Sequence, residues 1–405
     1  MKVLFILHET SIHNGSWKSA YNLIKGLQKK NVKILIVCPN NNGVYKILKE
    51  NGYNVIAVKY FWNRVKLKPT FKETIKYLPR TIRRIFYSFL WMYKCTKICK
   101  NFKPDIIHSN SSVITNGYLL AKKLKITHIW HVREYGDLDF SLSLKDSNKL
   151  FSKNKYYICI TNSIRTHRNL DGISGAKVIY NGICNKEDLE LTLNSMDIRK
   201  EKYFLYVGSL NRGKGIEDLL RAWHNAKLAQ PLKQFTLKIC GGKLNDIRDW
   251  KYFCEKNDIP DIEWLGCRDD VPSLMQAAYA VIIPSLFEGF GRVMPEATVN
   301  NALVVGRNTG GTKEQFDNGV QITGNEIGLR FNNLDELTAH IITIASSNPK
   351  SYYNYIISGK KTILSLYTNE IYVSETYNFY QTILKTEKNM TNSPYICHKS
   401  NSILS

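Results

Sequence analysis

The chain has 405 residues, 43% of them hydrophobic, nine cysteines and a formal net charge of +23. That length suffices for two α/β domains of ordinary size, and no run of apolar residues is long enough for a membrane-spanning helix. An odd cysteine count without a Cys-x-x-Cys pair argues against a disulfide framework or a structural zinc site and for a reduced, cytosolic protein.

From the start, the chain alternates short apolar runs with helical segments. Lys2–Leu7 has the apolar character of a signal peptide. It leads into His8-Glu9 and a polar glycine loop without a cleavage site, so it reads as a first strand. The helix 16–29, the strand 32–37, a helix over 42–51 and a short strand at 55–58 follow. A basic helical segment precedes the strand 106–108, the helix 113–123 and the strands 127–132, 157–161 and 177–180. Beyond a polar linker, 185–201, the rhythm resumes with strands at 202–207, 235–240, 263–266, 280–283 and 303–306. Helices are predicted between them, at 215–228, 246–257, 271–277 and 291–300. A last helix is predicted from Tyr367 to Lys385, with polar residues after Lys388. Nearly continuous apolar strands separated by helices predict α/β domains with mostly parallel sheets, two of them, and a cleft at the strands' carboxyl ends.

The charge is unevenly placed. Residues 1–180 hold 32 Lys/Arg against 9 Asp/Glu, whereas the remainder holds 25 of each. It is densest from Arg64 to Lys103, where twelve basic residues accompany a single acid, Glu73. Read as a helix, Leu78, Ile82, Ile85 and Phe89 share one face, with Lys76, Arg80, Arg83 and Arg84 largely around it and Phe86 and Trp91 close by. Such a helix fits an anionic membrane surface, and fits equally a core-packed helix with a basic solvent side. Nothing here supports nucleic acid: there is no zinc-finger spacing, RNA-recognition signature or basic zipper.

The chemistry concentrates at Pro284-Ser-Leu-Phe-Glu-Gly-Phe-Gly-Arg-Val-Met-Pro-Glu296. An apolar strand runs through two glycines into a helix, placing Glu288 at the strand end and Glu296 about one turn into the helix. Helix N-termini at strand ends bind anions through free N–H groups, and two carboxylates framing one suit the hydroxyls of a sugar nucleotide. Upstream, Lys214 lies between glycines in Tyr206-Val-Gly-Ser-Leu-Asn-Arg-Gly-Lys-Gly215, a loop opening a helix. His131 and His108 each end a strand, Asn14-Gly15 marks a first-domain loop, and Asn181-Gly182 falls near the domain junction.

With these motifs the chain resembles the retaining glycosyltransferases of family 4, whose GT-B architecture sets two Rossmann-like domains around a cleft. The resemblance covers nearly the whole chain and is most specific at 280–315. It implies an acceptor-binding domain at 1–183, a nucleotide-sugar domain at 184–366, a helix at 367–388 returning to the first domain, and a polar tail at 389–405. It implies that Glu296 holds ribose hydroxyls and Glu288 the donor sugar, in a loop with Gly289, Phe290 and Gly291. Lys214 contacts the diphosphate with help from Arg212, while Gly311 and Thr312 donate backbone N–H groups, Glu314 supports the lysine and Gly15 approaches the donor. His131, beside the transferred sugar, completes a catalytic set with Glu288 and Lys214. His108, Asn110, Arg133 and Glu134 are acceptor-side candidates, though Arg133 and Glu134 equally suit a mutual pair. Lys76, Arg80, Arg83, Arg84, Phe89 and Trp91 are the membrane-surface candidates.

The implied reaction is metal-independent transfer of a hexose from a UDP- or GDP-linked sugar to a glycan or polyprenyl-diphosphate-linked oligosaccharide. That places the protein in surface polysaccharide synthesis, of capsule or O-antigen type, at the inner face of the plasma membrane. No cofactor or metal is expected, and Asp137-Leu-Asp139 reads as a loop acid pair. Two departures from the family pattern stand out. Ser209 occupies a position where relatives carry arginine, and Asn300-Asn-Ala-Leu-Val-Val305 replaces Gly-x-Pro-Val. A catalytically silent glycan- or partner-binding scaffold remains the reading from another class, and an epimerase or phosphorylase the enzymatic alternative.

Overall fold

The computed structural model describes residues 1–12, 15–62, 71–140, 151–193 and 199–391. These form two parallel sheets. The first has seven strands in the order β3-β2-β1-β4-β5-β6-β7: β1 (Lys2–Ile6), β2 (Lys33–Cys38), β3 (Val55–Ala57), β4 (Ile106–Ser109), β5 (Thr127–Val132), β6 (Tyr156–Cys159) and β7 (Ala176–Val178). The second has six in the order β10-β9-β8-β11-β12-β13: β8 (Glu201–Val207), β9 (Thr236–Cys240), β10 (Ile262–Gly266), β11 (Ala278–Ile283), β12 (Leu303–Arg307) and β13 (Leu329–Phe331). Strand order reverses between β1 and β4 in one sheet and between β8 and β11 in the other. Such switch points open a crevice at the carboxyl edge.

The helices of the first half are α1 (Gly15–Lys29), α2 (Val44–Glu50), α3 (Phe71–Phe102), α4 (Asn116–Leu124), α5 (Asp137–Phe140), α6 (Asn162–His167) and α7 (Lys186–Leu191). Those of the second are α8 (Ile216–Lys227), α9 (Leu244–Lys256), α10 (Val271–Ala277), α11 (Val293–Val299), α12 (Gly310–Thr323), α13 (Leu334–Ser346) and α14 (Tyr353–Leu366). The last, α15, is Asn369–Thr391. Most predicted boundaries shift by one or two residues; β13, α5, α6, α7, α12, α13 and α14 have no counterpart in the sequence reading, and α7 stands within the expected linker 185–201.

Helix α15 belongs to the first sheet's packing. Tyr372, Val373, Tyr380 and Ile383 are buried in one cluster with Val3, Phe5, Leu23 and Ile36. Contact with α1 is close at Gly26, where a Cβ would stand 2.2 Å from Val373 Cγ2. The asparagine Asn22 on α1 donates to Asn369 at 2.9 Å.

Helix α3 is divided along its length. Trp91, Cys95 and Cys99, four residues apart, share its buried stripe with Leu4, Leu35 and Ile107. Ile82, Ile85, Phe86, Phe89 and Tyr93 lie between 56% and 71% exposed, on a second stripe. Trp91 is therefore not a membrane-surface residue: its helical register turns it into the core, where it is fully buried. Arg83 is exposed and its guanidinium lies 5.3 Å from the Phe61 ring centre. Asn14, Arg64 and residues 392–405 lie outside the described residues, as do the side chains of Lys76, Leu78 and Arg80. No described helix is long and apolar enough to cross a membrane.

Candidate active site

At the carboxyl edge of the second sheet, the turn after β8 meets the turn after β11. Asn211 Oδ1 accepts from the Lys214 backbone N–H at 3.1 Å, and Gly215 then takes a left-handed φ of +67° to enter α8. A Cβ at Gly215 would stand 1.9 Å from the Pro284 carbonyl oxygen, so only glycine admits this approach. The Leu286 N–H donates to Gly213 at 3.0 Å and binds the two turns together. The result is an ion pair of 2.6 Å between Lys214 Nζ and Glu288 Oε1, with Ser285 Oγ donating to the same oxygen at 2.8 Å. Lys214 is 31% and Glu288 15% exposed, so both remain within reach of a ligand. Arg212 is exposed on the same turn.

Glycines hold the Glu288 loop. The Glu288 carbonyl accepts from Gly311 N–H at 2.7 Å and from the Tyr135 hydroxyl at 3.0 Å. Gly311 therefore has no N–H left for a phosphate, and its expected role is corrected. A Cβ there would lie 2.6 Å from the Gly289 carbonyl oxygen. Thr312, one residue on in α12, is buried. Gly289 in turn sits against the first half: a Cβ would stand 2.8 Å from the Arg133 carbonyl oxygen, and Thr161 Oγ1 donates to the Gly289 carbonyl at 2.9 Å. Gly291 carries the loop onward at φ +80°. Phe290 is 3% exposed and packs edge-on against Tyr367, so it anchors the loop from inside rather than facing a ligand.

Arg292, at the N-cap of α11, is the residue the sequence reading passed over. Its Nε and Nη2 hold Glu296 Oε1 at 3.0 and 2.8 Å. Its Nη1 donates to Ser19 Oγ at 2.8 Å and to the Gly182 carbonyl at 3.2 Å, both in the first half. Gly15 lies beneath it, where a Cβ would come within 3.0 Å of Arg292 Cδ. The signal was present as an arginine four residues before Glu296, the spacing that pairs charges on a helix.

His131, at the end of β5, is fully buried, and its Nδ1 lies 3.1 Å from His108 Nε2. Both rings are pushed well below the usual histidine range, by burial first and the Arg133 charge second. The four acceptor-side candidates are interior groups. His108 is fully buried and stacks on Phe5 at 4.3 Å. The Arg133 guanidinium does not pair with the Glu134 carboxylate, which takes only the Arg133 backbone N–H, at 3.3 Å. The guanidinium donates to Asn110 at 3.0 Å, Asn181 at 2.8 Å and Tyr372 at 2.9 Å. Glu134 accepts from Ser111 at 2.6 Å and from the Ser112 N–H and hydroxyl at 3.1 and 3.0 Å. His108, Arg133 and Glu134 thus have their polar side-chain atoms engaged inside the protein, and Asn110 spends its Oδ1 on Arg133.

Glu314 is also corrected. It accepts from the Asn162 and Ser163 N–H groups at 2.8 and 2.9 Å and from the Tyr180 hydroxyl at 2.8 Å, capping α6 instead of supporting Lys214. Asp137 pairs with His167 at 2.7 Å, and Asp139 accepts from the Tyr135 and Gly136 N–H groups. Among the described residues no group of three or more His, Cys, Asp or Glu side chains is arranged to hold a metal.

The description of glycosyl transferases group 1 fits residues 194–362, and that of glycosyltransferase family 4 fits residues 13–185. The chain belongs to this glycosyltransferase family. An uncharacterized glycosyltransferase of Methanocaldococcus jannaschii is 30% identical over 224 residues, 51% of this chain and 53% of the relative. That match spans about half the length of the curated relative. Among solved structures, Anabaena HepE in complex with UDP has a TM-score of 0.68 at 20% identity, covering 96% of this chain and 100% of that one. A glycosyltransferase of Rickettsia africae ESF-5 has a TM-score of 0.70 at 17% identity, covering 95% and 99%. The lipopolysaccharide outer core galactosyltransferase WaaB has 0.66 at 18%, covering 95% and 99%. At these identities the likeness shows the GT-B fold alone.

Within this family-4 frame, Lys214 pairs with Glu288 at the β8/β11 switch point, and Arg292 pairs with Glu296 on the helix that follows the Glu288 loop. Gly289 brings the Glu288 loop against the segment just after His131. Ser209 leaves its expected arginine place to a small hydroxyl, which accepts from Asn211 at 2.9 Å. Arg212 lies on the same turn, and Arg307 Nε donates to the Pro284 carbonyl at 2.9 Å while its guanidinium pairs with Asp218.

Proposed function

We propose that the chain is a retaining, metal-independent hexosyltransferase that uses a UDP- or GDP-linked sugar and extends a lipid-linked surface glycan. The observation that carries this reading is the Lys214–Glu288 pair at the carboxyl ends of β8 and β11. In the reaction the bond from the anomeric carbon to the diphosphate breaks and a bond to the acceptor oxygen forms. The acceptor's proton leaves with the nucleoside diphosphate or to solvent. Negative charge grows on the leaving diphosphate. A fixed ammonium stabilises that charge more in the transition state than in the ground state. As the phosphate takes Lys214, Glu288 is released toward sugar hydroxyls, and Glu296, oriented by Arg292, receives the ribose. HepE, solved with UDP and with UDP-glucose, supports a uridine nucleotide as donor, and WaaB supports a glycan acceptor.

The acceptor's lipid is proposed from α3. Ile82, Ile85, Phe86, Phe89 and Tyr93 form an exposed apolar stripe beside Arg83, in the half of the chain that carries all the excess charge. Apolar insertion joined to basic attraction is how a peripheral protein lies on anionic lipid, and this reading places the protein at the inner face of the plasma membrane.

The test is a panel of UDP-, GDP- and ADP-sugars with mass detection of hydrolysis and transfer, run with and without EDTA, and NMR of the anomeric product. Turnover of a UDP- or GDP-hexose with retention and no loss in EDTA is expected. No turnover across the panel, or an inverted product, overturns the reading.

A further inference from the structure

The buried ring of His131 has a defined tautomer, and the reason lies in four side chains that reach it in series. Tyr380, on α15, stands 2.5 Å from His108 Nδ1. His108 Nε2 stands 3.1 Å from His131 Nδ1. Arg133 Nη2, held by the Tyr372 hydroxyl at 2.9 Å, faces the same His131 Nδ1 at 3.5 Å. An arginine has donors only. The contact is long, but a positive N–H facing Nδ1 makes that nitrogen the acceptor.

The remaining directions follow from it. If His131 Nδ1 accepts, His108 must donate to it from Nε2. A neutral His108 then carries no proton on Nδ1, so Nδ1 accepts from the Tyr380 O–H. The opposite order would set a proton on His131 Nδ1 against the Arg133 N–H. A neutral His131 must therefore bear its proton on Nε2, which is buried and has no hydrogen-bond partner among the described residues. Burial holds both histidines neutral and keeps Tyr380 protonated, so every link stays in the form that the series needs.

We propose that Tyr380 and His108 are positioning residues which, with Arg133, lock His131 in the Nε2–H tautomer and leave that N–H as the unspent end of a directed chain of hydrogen bonds. A buried donor without a partner is unfavourable, and a hydroxyl of a bound sugar is the kind of acceptor that relieves it. The use of the N–H on a donor sugar rests on the function proposed above; the tautomer lock does not.

The test uses the full chain labelled with ¹⁵N-histidine. Long-range ¹H–¹⁵N spectra distinguish an imidazole protonated on Nε2 from one protonated on Nδ1, and the His131 and His108 signals are assigned by comparison with single His→Gln variants. Both rings are expected in the Nε2–H form. Tyr380→Phe removes the first donor, so His108 should become a mixture, and His131, which Arg133 still faces, should follow it only in part. Transfer in Tyr380→Phe should show kcat several-fold lower with the donor KM nearly unchanged. His108→Gln keeps an N–H to offer and should hold His131 as in the wild type, whereas His108→Phe should not.

A wild-type His131 protonated on Nδ1 overturns the proposal. So does a Tyr380→Phe spectrum with both tautomers unchanged. If the spectra behave as stated and the wild type turns over no nucleotide sugar, the proposed function falls and the lock stands.

Discussion

Arg292 Nη1 donates to Ser19 Oγ at 2.8 Å, while the same guanidinium grips Glu296 from its other edge. One side chain thus orients the acid proposed for ribose and ties the second half of the chain to α1. Removing it should affect donor binding through Glu296. Arg292→Ala is expected to raise the donor KM roughly 10- to 150-fold, the about 1.5–3 kcal/mol typical of hydrogen bonds to charged groups. Because the two residues act as a unit, adding Glu296→Gln should cost little more. Steady-state kinetics of the two singles and the double decide the matter, and strictly additive losses count against it.

Lys214 and Glu288 make a prediction of opposite signs. A diphosphate must compete with Glu288 for the ammonium, so Lys214→Ala should weaken UDP binding by about 1.5–3 kcal/mol, roughly 10- to 150-fold. Glu288→Gln frees the ammonium and should tighten UDP binding while lowering transfer. Calorimetric titration of UDP against both variants checks the pair. Weaker UDP binding in Glu288→Gln would show that the ion pair does not oppose the phosphate.

The two stripes of α3 separate membrane attachment from stability. Phe86→Ser with Phe89→Ser, or Arg83→Gln, should reduce co-sedimentation with anionic vesicles at low salt and leave the melting temperature nearly unchanged, because these side chains are exposed. Trp91→Ala should do the reverse, destabilising by about 3–5 kcal/mol through a core cavity. If the wild type fails to bind anionic vesicles at low salt, the exposed stripe is not a lipid contact.

Lys360 is fully buried, donates to the Thr192 carbonyl at 2.6 Å, and has its pKa drawn down by burial to about 8 from an ordinary 10.5. Between those values the unfolded chain binds more protons than the folded one, so this lysine makes stability rise with pH above about 8. Denaturant unfolding at about pH 7.5 and about pH 9.5, for wild type and Lys360→Met, isolates the effect. The wild type should gain on the variant by up to about 1.4 kcal/mol per pH unit. Equal slopes would remove it.

The alternation of apolar strands and helices was legible because parallel strands are buried on both faces and leave continuous runs. Glu288 and Glu296 were legible for a related reason: the glycines around them mark a strand end turning into a helix. His108, Arg133 and Glu134 misled because a polar residue at a strand end looks the same whether it faces a cleft or a buried partner. Their partners, Asn181, Tyr372 and Tyr380, lie far along the chain, and pairing at that distance leaves no local trace. Trp91 misled for want of a register: every side of α3 carries large apolar residues, and only Trp91, Cys95 and Cys99 together show which side turns inward. Glu314 stands one turn into a helix that begins at two glycines, and its partner is another helix's end.

Helix α15 also sets an order on how the molecule is made. All the strands of the first sheet lie before Ile179, yet Tyr372, Val373, Tyr380 and Ile383 fill the same apolar cluster as β1 and α1. Domains generally fold from the N-terminus as they leave the ribosome. Here the earlier sheet waits, with one apolar face only partly covered by α1 and α2, until the whole second sheet has been synthesised and α15 returns. The nascent chain is thus exposed longest where its first core is unfinished, and a protein shortened before Asn369 should aggregate rather than yield two sound halves.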